Sequence, residues 1–125
     1  MRAIVIADSG PVLASVTRAL VEINGVEIVR HTSGRARVSA LVRGFAPDLV
    51  LIDEMHWPPL ALARVREVRA AAPRASVVVL AEQLEGGWLA DALRLGAAAV
   101  MPASADPETF RQVLTEVLAR IPAAA

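Results

Sequence analysis

The 125-residue chain is long enough for one domain with a core, and a composition of 55% hydrophobic but 3% aromatic residues predicts that this core is aliphatic. It has no cysteine, so disulfides and thiolate metal sites are excluded. No apolar run approaches the ~18 residues that span a bilayer, so no membrane helix is predicted. The formal net charge is zero, whereas nucleic-acid binding normally needs a basic surface, and all 13 basic residues are arginines. These features favour a cytoplasmic domain that binds neither membrane nor nucleic acid directly.

In chain order, short apolar runs alternate with segments of helical periodicity. The runs are continuous and rich in β-branched residues, as in strands covered on both faces, and lie at residues 3–7, 26–31, 49–53, 77–81 and 98–101. A helix is predicted after each run. In the fourth helix, Leu89, Ala92 and Leu93 are expected to be buried, and Asp106 followed by Pro107 predicts the start of the fifth.

Strict alternation of strands and helices predicts an α/β fold, with a doubly wound parallel sheet, helices on both faces and right-handed crossovers. We expect one domain over residues 1–121. Residues 122–125 are interpreted as a tail or the start of a linker.

Two acidic residues stand where predicted strands end. Asp8 follows the first strand and Asp53 ends the third, and open parallel sheets bind ligands beyond the carboxyl ends of their strands. Two carboxylates at one edge would suit a hard cation such as Mg²⁺, which prefers oxygen ligands. The alternative is that each aspartate only forms a turn, or that Asp8 caps the following helix.

Several segments together resemble the receiver domain of bacterial response regulators, over residues 2–120. The matching segments are 4–8, 47–53, 77–80, 92–98 and 106–108, and their order and spacing are more specific than any one of them. The pattern is most similar to regulators that carry a helix-turn-helix output domain. The resemblance implies the CheY-like, flavodoxin-like fold with strand order 2-1-3-4-5.

The resemblance also implies roles for particular residues. Asp53 would be the phosphoacceptor that receives a phosphoryl group from a histidine kinase, with Mg²⁺ neutralising the transferred oxygens. Asp8 matches one of the two acids that hold the metal, and Met55 matches the residue whose backbone carbonyl completes the metal site. Beyond this self-modification, no enzymatic activity is implied.

The chain departs from the family pattern at four single positions and in residues 57–60, Trp-Pro-Pro-Leu, which replace the glycine-rich turn after the phosphoacceptor. Ser9 replaces the second metal-binding acid, Ala81 the switch hydroxyl, Val100 the switch aromatic and Ala103 the lysine after the fifth strand. A charge-assisted contact is typically worth about 1.5–3 kcal/mol, so these losses should weaken Mg²⁺ binding, phosphorylation and the response to it.

These departures favour a degenerate receiver, or pseudo-receiver, that signals through protein–protein association. The partner would be a histidine kinase, an output domain of the same protein or a second copy of the chain. Trp88, on the short fourth helix, is a candidate interface residue, unless it folds over the helix edge. The alternatives are a working phosphoacceptor and a flavodoxin-like domain that binds a small ligand such as a flavin or a corrinoid.

Overall fold

The computed structural model describes residues 1–8, 10–23, 25–33, 37–54, 57–82 and 86–120. Within them, five parallel strands form one sheet in the order β2-β1-β3-β4-β5. The strands are β1 (Arg2–Ile6), β2 (Glu27–Thr32), β3 (Leu49–Asp53), β4 (Ser76–Ala81) and β5 (Ala99–Pro102). The predicted fold class and strand order are confirmed, and each strand lies within about a residue of its predicted limits.

A helix follows each strand, as the alternating pattern predicts. These helices are α1 (Pro11–Val21), α2 (Val38–Phe45), α3 (Pro58–Ala71), α4 (Trp88–Arg94) and α5 (Pro107–Ala119). The expected tail at residues 122–125 and the first residues predicted for α2, 34–36, lie outside the described residues. No helix in the described ranges is long and apolar enough to cross a membrane.

The core consists of two aliphatic layers, one on each face of the sheet. Successive strand side chains point to opposite faces, so Val5 and Leu51 contact α1 and α5, whereas Ile4 and Ile52 contact the layer under α2 and α3. The interior of the sheet is fully excluded from solvent on both sides. The polar groups that follow the strands are therefore held on a rigid base.

Two helix ends test the local predictions. The Asp106 side chain accepts a hydrogen bond from the Thr109 N–H at 2.8 Å, which confirms the predicted cap of α5. The N-cap of α1 is Gly10, with no side-chain cap, so the structure does not support Asp8 as the cap of this helix.

One burial prediction was wrong. In α4, Ala92 is buried and Leu89 is half-buried, but Leu93 is 49% exposed. Consecutive residues of a helix point about 100° apart, so in a short helix with Ala92 directed at the sheet, Leu93 turns toward solvent.

Candidate functional site

The carboxyl ends of the strands bring the predicted acidic residues to one edge of the sheet. In the pairing of β1 with β3, Ile6 lies beside Ile52, so Asp53 follows by one residue on β3 and Asp8 by two beyond β1. Asp53 is half-buried at the end of β3, and Asp8 is exposed. The structure thus places both residues at the edge where parallel sheets bind ligands.

A cavity of about 400 Å³ opens at this edge. Its acidic side is formed by Asp53, Glu54 and Glu82. Its other walls come from the start of α1 and from the segment after β5, and consist of Pro11, Val12, Ser15, Ala103, Ser104 and Ala105. Asp8 lies outside this lining, so among the described residues the carboxylates that share the cavity with Asp53 are those of Glu54 and Glu82.

Glu54 is the buried carboxylate of this edge. The residue is 4% exposed, its N–H donates to the Leu80 carbonyl oxygen at 3.0 Å, and its Oε1 accepts from the Glu82 N–H at 2.7 Å. Glu54 therefore ties the end of β3 to the backbone that follows β4. The hydrogen bond from the Glu82 N–H to Oε1 is short and charge-assisted, and such bonds are stronger than neutral ones.

The other carboxylate oxygen of Glu54, Oε2, is buried and has no hydrogen-bond partner among the described residues. Buried polar atoms are nearly always partnered, and a carboxylate oxygen without a partner is among the costliest exceptions. Glu54 lines the cavity as a residue, but its Oε2 atom is closed to solvent.

The positions where the family has switch groups carry only hydrocarbon side chains here. Ala81 is fully buried at the end of β4, and its carbonyl oxygen accepts from the Ala103 N–H at 2.8 Å. Val100 is half-buried in β5 and packs on the layer under α2 and α3. None of these three side chains can hydrogen-bond a phosphoryl group.

The remaining predicted site residues are divided between described and undescribed parts of the chain. Ser9 and Met55 lie outside the described residues. Trp88 is half-buried and packs on the layer under α2 and α3, so part of its ring contacts the hydrophobic core. The most exposed tryptophan is Trp57, at 59%, which immediately precedes α3.

The donor set fits a tightly held Mg²⁺ poorly. Among the described residues, no three acidic or histidine side chains converge so that they could hold a metal ion. The predicted set offers the carboxylates of Asp8 and Asp53, with Asp8 exposed and Ser9 in place of a second acid. Mg²⁺ binds through one or two carboxylates when further ligands complete its octahedron, so weak binding is the most that these side chains support.

Glu54 is a buried acidic residue of this edge that the sequence did not single out. In the sequence it is only the residue after Asp53, in a segment that resembles a turn. Since side chains alternate along a strand, the residue after a buried strand end can point inward when the extended backbone continues by one position. The hydrogen bond from the Glu54 N–H to the Leu80 carbonyl oxygen shows that the extended backbone of β3 continues to Glu54.

The parallel sheet of order 2-1-3-4-5 with five helices has the fold of solved response-regulator receiver domains. No family model matches the chain. Among solved structures, the REC domain of RcsB from Salmonella enterica serovar Typhimurium, in the presence of phosphomimetic BeF₃⁻, aligns with a TM-score of 0.82 at 16% identity. That alignment covers 100% of this chain and 93% of the RcsB chain.

Two further matches are a solved receiver domain and a curated transcriptional regulator. The receiver domain of the putative response regulator NarL from Mycobacterium tuberculosis has a TM-score of 0.74 and 25% identity, and the alignment covers 95% of this chain and 97% of that one. Among curated sequences, the transcriptional regulatory protein CitT of Bacillus subtilis is 25% identical over 99 residues, or 79% of this chain. The match spans 44% of CitT, less than half of that protein.

Proposed function

We propose that the chain is an atypical receiver domain of a bacterial response regulator, which acts in the cytoplasm through protein–protein association that does not depend on phosphorylation. The observation that carries this proposal is the hydrogen bond from the Glu82 N–H to the buried Glu54 carboxylate. It fixes the backbone N–H of Glu82, the first residue after β4, by a group of the chain itself. No phosphoryl group is needed to hold that residue.

The missing switch groups support the same conclusion. A ligand shifts a conformational equilibrium only through contacts that differ between the two states. With Ala81, Val100 and Ala103 at the switch positions, a phosphoryl group on Asp53 would find few side-chain donors with which to favour one state. Modification of Asp53 would therefore change the conformation of this edge little.

A working phosphoacceptor is the second candidate, and one observation favours it. Asp53 is half-buried at the end of β3 and lines the cavity, which leaves room for a phosphoryl donor. In that reaction an Asp53 carboxylate oxygen would attack phosphorus, a P–O bond would form, and the bond to the leaving group would break. The partner would then be a histidine kinase.

The test is the intact mass of the protein after incubation with Mg²⁺ and acetyl phosphate, beside an Asp53→Asn control and a conventional receiver domain. We expect no phosphoryl adduct on this chain under conditions that label the conventional domain. An adduct on the wild type that Asp53→Asn abolishes would overturn the proposal in favour of the phosphoacceptor.

A further inference from the structure

A second cavity, of about 480 Å³, lies between α2 and α3. It shares no lining residue with the cavity at Asp53, and α2 and α3 pack on the face of the sheet opposite to α1 and α5. Among the described residues, the charged side chains of its lining are those of Arg37, Arg43, Arg64 and Glu67. The lining thus carries three positive charges and one negative charge.

The acid in this lining is already paired on α3. Arg64 Nη1 donates to Glu67 Oε1 at 2.8 Å, and the Arg64 side chain is only 13% exposed, so the pair is held within the wall of the cavity. Residues three apart on a helix are neighbours on one face, which is the spacing of this pair. Glu67 therefore offsets the charge of Arg64, and the charges of Arg37 and Arg43 are left without an acid among the described lining residues.

Arg37 and Arg43 are the exposed cations of this cavity. Neither side chain makes a hydrogen bond or ion pair among the described residues, and α2 has no acidic residue in its first turn. Because both arginines border the same cavity, one short anionic segment can contact both. A guanidinium presents its donors in a fixed fork that matches a carboxylate, so an acidic group is the ligand that these side chains favour.

The size of the cavity and the charge of the chain indicate the class of anion. A volume of about 480 Å³ is roughly fifteen times the ~30 Å³ share of one water molecule in the liquid, so a lone inorganic anion would fill little of it. Small side chains, Ser39 and Ala40, complete the α2 side and leave room for other side chains. Nucleic acids require a larger basic surface, whereas this chain has a net charge of zero. An acidic segment of a protein fits both observations.

We propose that the cavity between α2 and α3 is a docking site for an acidic segment of a partner protein, with its carboxylates paired to Arg37 and Arg43. This inference rests on the proposed function, because it names the kind of partner with which the domain associates. The pair of Arg64 and Glu67 forms a fixed wall of the site. Arg37 and Arg43 supply the donors that contact the partner.

The test uses two capped peptides, each with a central acidic or neutral segment between alanines: glutamates in the first and the uncharged isostere glutamine in the second. Binding at low ionic strength is followed by the amide shifts of Ser39, Ala40, Arg43 and Glu67 during titration. We expect the glutamate peptide to bind about tenfold or more tightly, and added salt to reduce this difference, because exposed charge pairs are screened. Equal binding of both peptides, or binding of neither, would overturn the proposal.

Removal of the two exposed charges locates the site. The double variant Arg37→Gln, Arg43→Gln should lower the affinity for the glutamate peptide about tenfold, because both charge-assisted contacts are lost. Arg120→Gln, at the exposed end of α5 on the other face of the sheet, is the matched control and should leave binding unchanged. Wild-type affinity in the folded double variant would refute the site.

A substitution within the cavity tests the site without removing an arginine. Ala40 is exposed on α2 and stands three residues before Arg43, so the carboxylate of Ala40→Glu can pair with Arg43 and compete with the peptide. We expect this variant to lower the affinity about tenfold, and Ala40→Gln, of the same size but uncharged, to change it less than about twofold. Equal affinities of the two variants would refute pairing of the peptide with Arg43.

The outcomes separate this inference from the proposed function. If neither peptide binds and Asp53 remains unmodified by acetyl phosphate, the docking site is refuted while association without phosphorylation stands. If Asp53 is modified, the proposed function fails whatever the peptides do. If a single-stranded DNA of ten thymidines binds at the same amides more tightly than the glutamate peptide, a protein partner is refuted. A wild-type dimer that the double variant converts to a monomer would refute a partner other than a second copy of the chain.

Discussion

The two edges of the sheet use acidic residues in different ways. At the amino-terminal edge, Asp48 Oδ2 accepts from the Arg2 N–H at 2.8 Å, while the Asp48 backbone bonds Arg2 and Ser76. At the carboxyl edge, Glu54 bonds the Glu82 N–H with one oxygen and leaves the other buried without a partner among the described residues. The Asp48 interactions hold strands together. Glu54 also joins two strand ends, but only one of its carboxylate oxygens makes a hydrogen bond. Such a loss of stability is expected at functional sites.

The largest expected effect comes from restoring the family's groups at the carboxyl edge. The triple variant Ser9→Asp, Ala81→Thr, Ala103→Lys supplies the acid, the hydroxyl and the lysine that the family pattern has at these positions. If these groups together lower the barrier by about 3 kcal/mol, phosphorylation by acetyl phosphate should accelerate more than about a hundredfold. Intact mass against time measures the rate.

The control for this gain is Asp53→Asn in the triple variant, which should take up no phosphoryl group. An unchanged rate in a folded triple variant would mean that the lost side chains do not explain slow phosphorylation of the wild type. The low reactivity of the carboxyl edge would then require another cause.

A pair of neutral substitutions compares the two edges directly. Asp48→Asn and Glu54→Gln each keep an acceptor oxygen and remove a charge. Asp48→Asn should lower the free energy of unfolding by about 0.5–1 kcal/mol, because its hydrogen bond to the Arg2 N–H loses charge assistance. Glu54→Gln should raise it by about 1 kcal/mol, because a buried charge with an unpartnered oxygen is removed.

Urea unfolding at neutral pH measures both values. The opposite signs are the prediction. A loss of stability of equal size in both variants would show that Glu54 is as structural as Asp48.

The smallest effect concerns an acid near the carboxyl edge with a structural role. Asp106 accepts from the Thr109 N–H, and this backbone hydrogen bond holds the pKa of its carboxyl below the usual value of 3.8. A lowered folded-state pKa means that the cap stabilises the protein above the unfolded-state pKa and loses this contribution as pH falls through the folded-state pKa.

Asp106→Ala should therefore lower Tm slightly at neutral pH, and the gap from the wild type should narrow as the pH falls below about 4. Thermal unfolding followed by circular dichroism at several pH values measures the gap. A gap that stayed constant through this range would show that the carboxylate charge contributes nothing to the cap.

The sequence predicted the fold because the interior of the sheet is simple. Continuous β-branched runs such as Leu49–Asp53 belong to strands buried on both faces, and the α5 start followed from Asp106 and Pro107. The prediction of Leu93 as buried failed because α4 has only seven residues, too few for periodicity to fix which face is turned inward.

The site was predicted in part, for a related reason. Strand ends located Asp8 and Asp53, because their position depends on the sheet alone. The burial of Glu54 depends on how the backbone leaves β3 and on the position of the Glu82 N–H, 28 residues away in sequence. No local pattern encodes such a contact, so the residue that we regard as central to this edge could be found only in the folded chain.

The central claim is that Glu54 already holds Glu82, the first residue after β4, so that this edge does not respond to a phosphoryl group. The most direct measurement is a set of amide NMR spectra recorded with and without Mg²⁺ and BeF₃⁻, a phosphoryl mimic. We predict that the amides of Glu82, Ala103 and Ser104 keep their shifts, while a conventional receiver domain responds under the same conditions. Saturable shifts of these amides that disappear in Asp53→Asn would contradict the account.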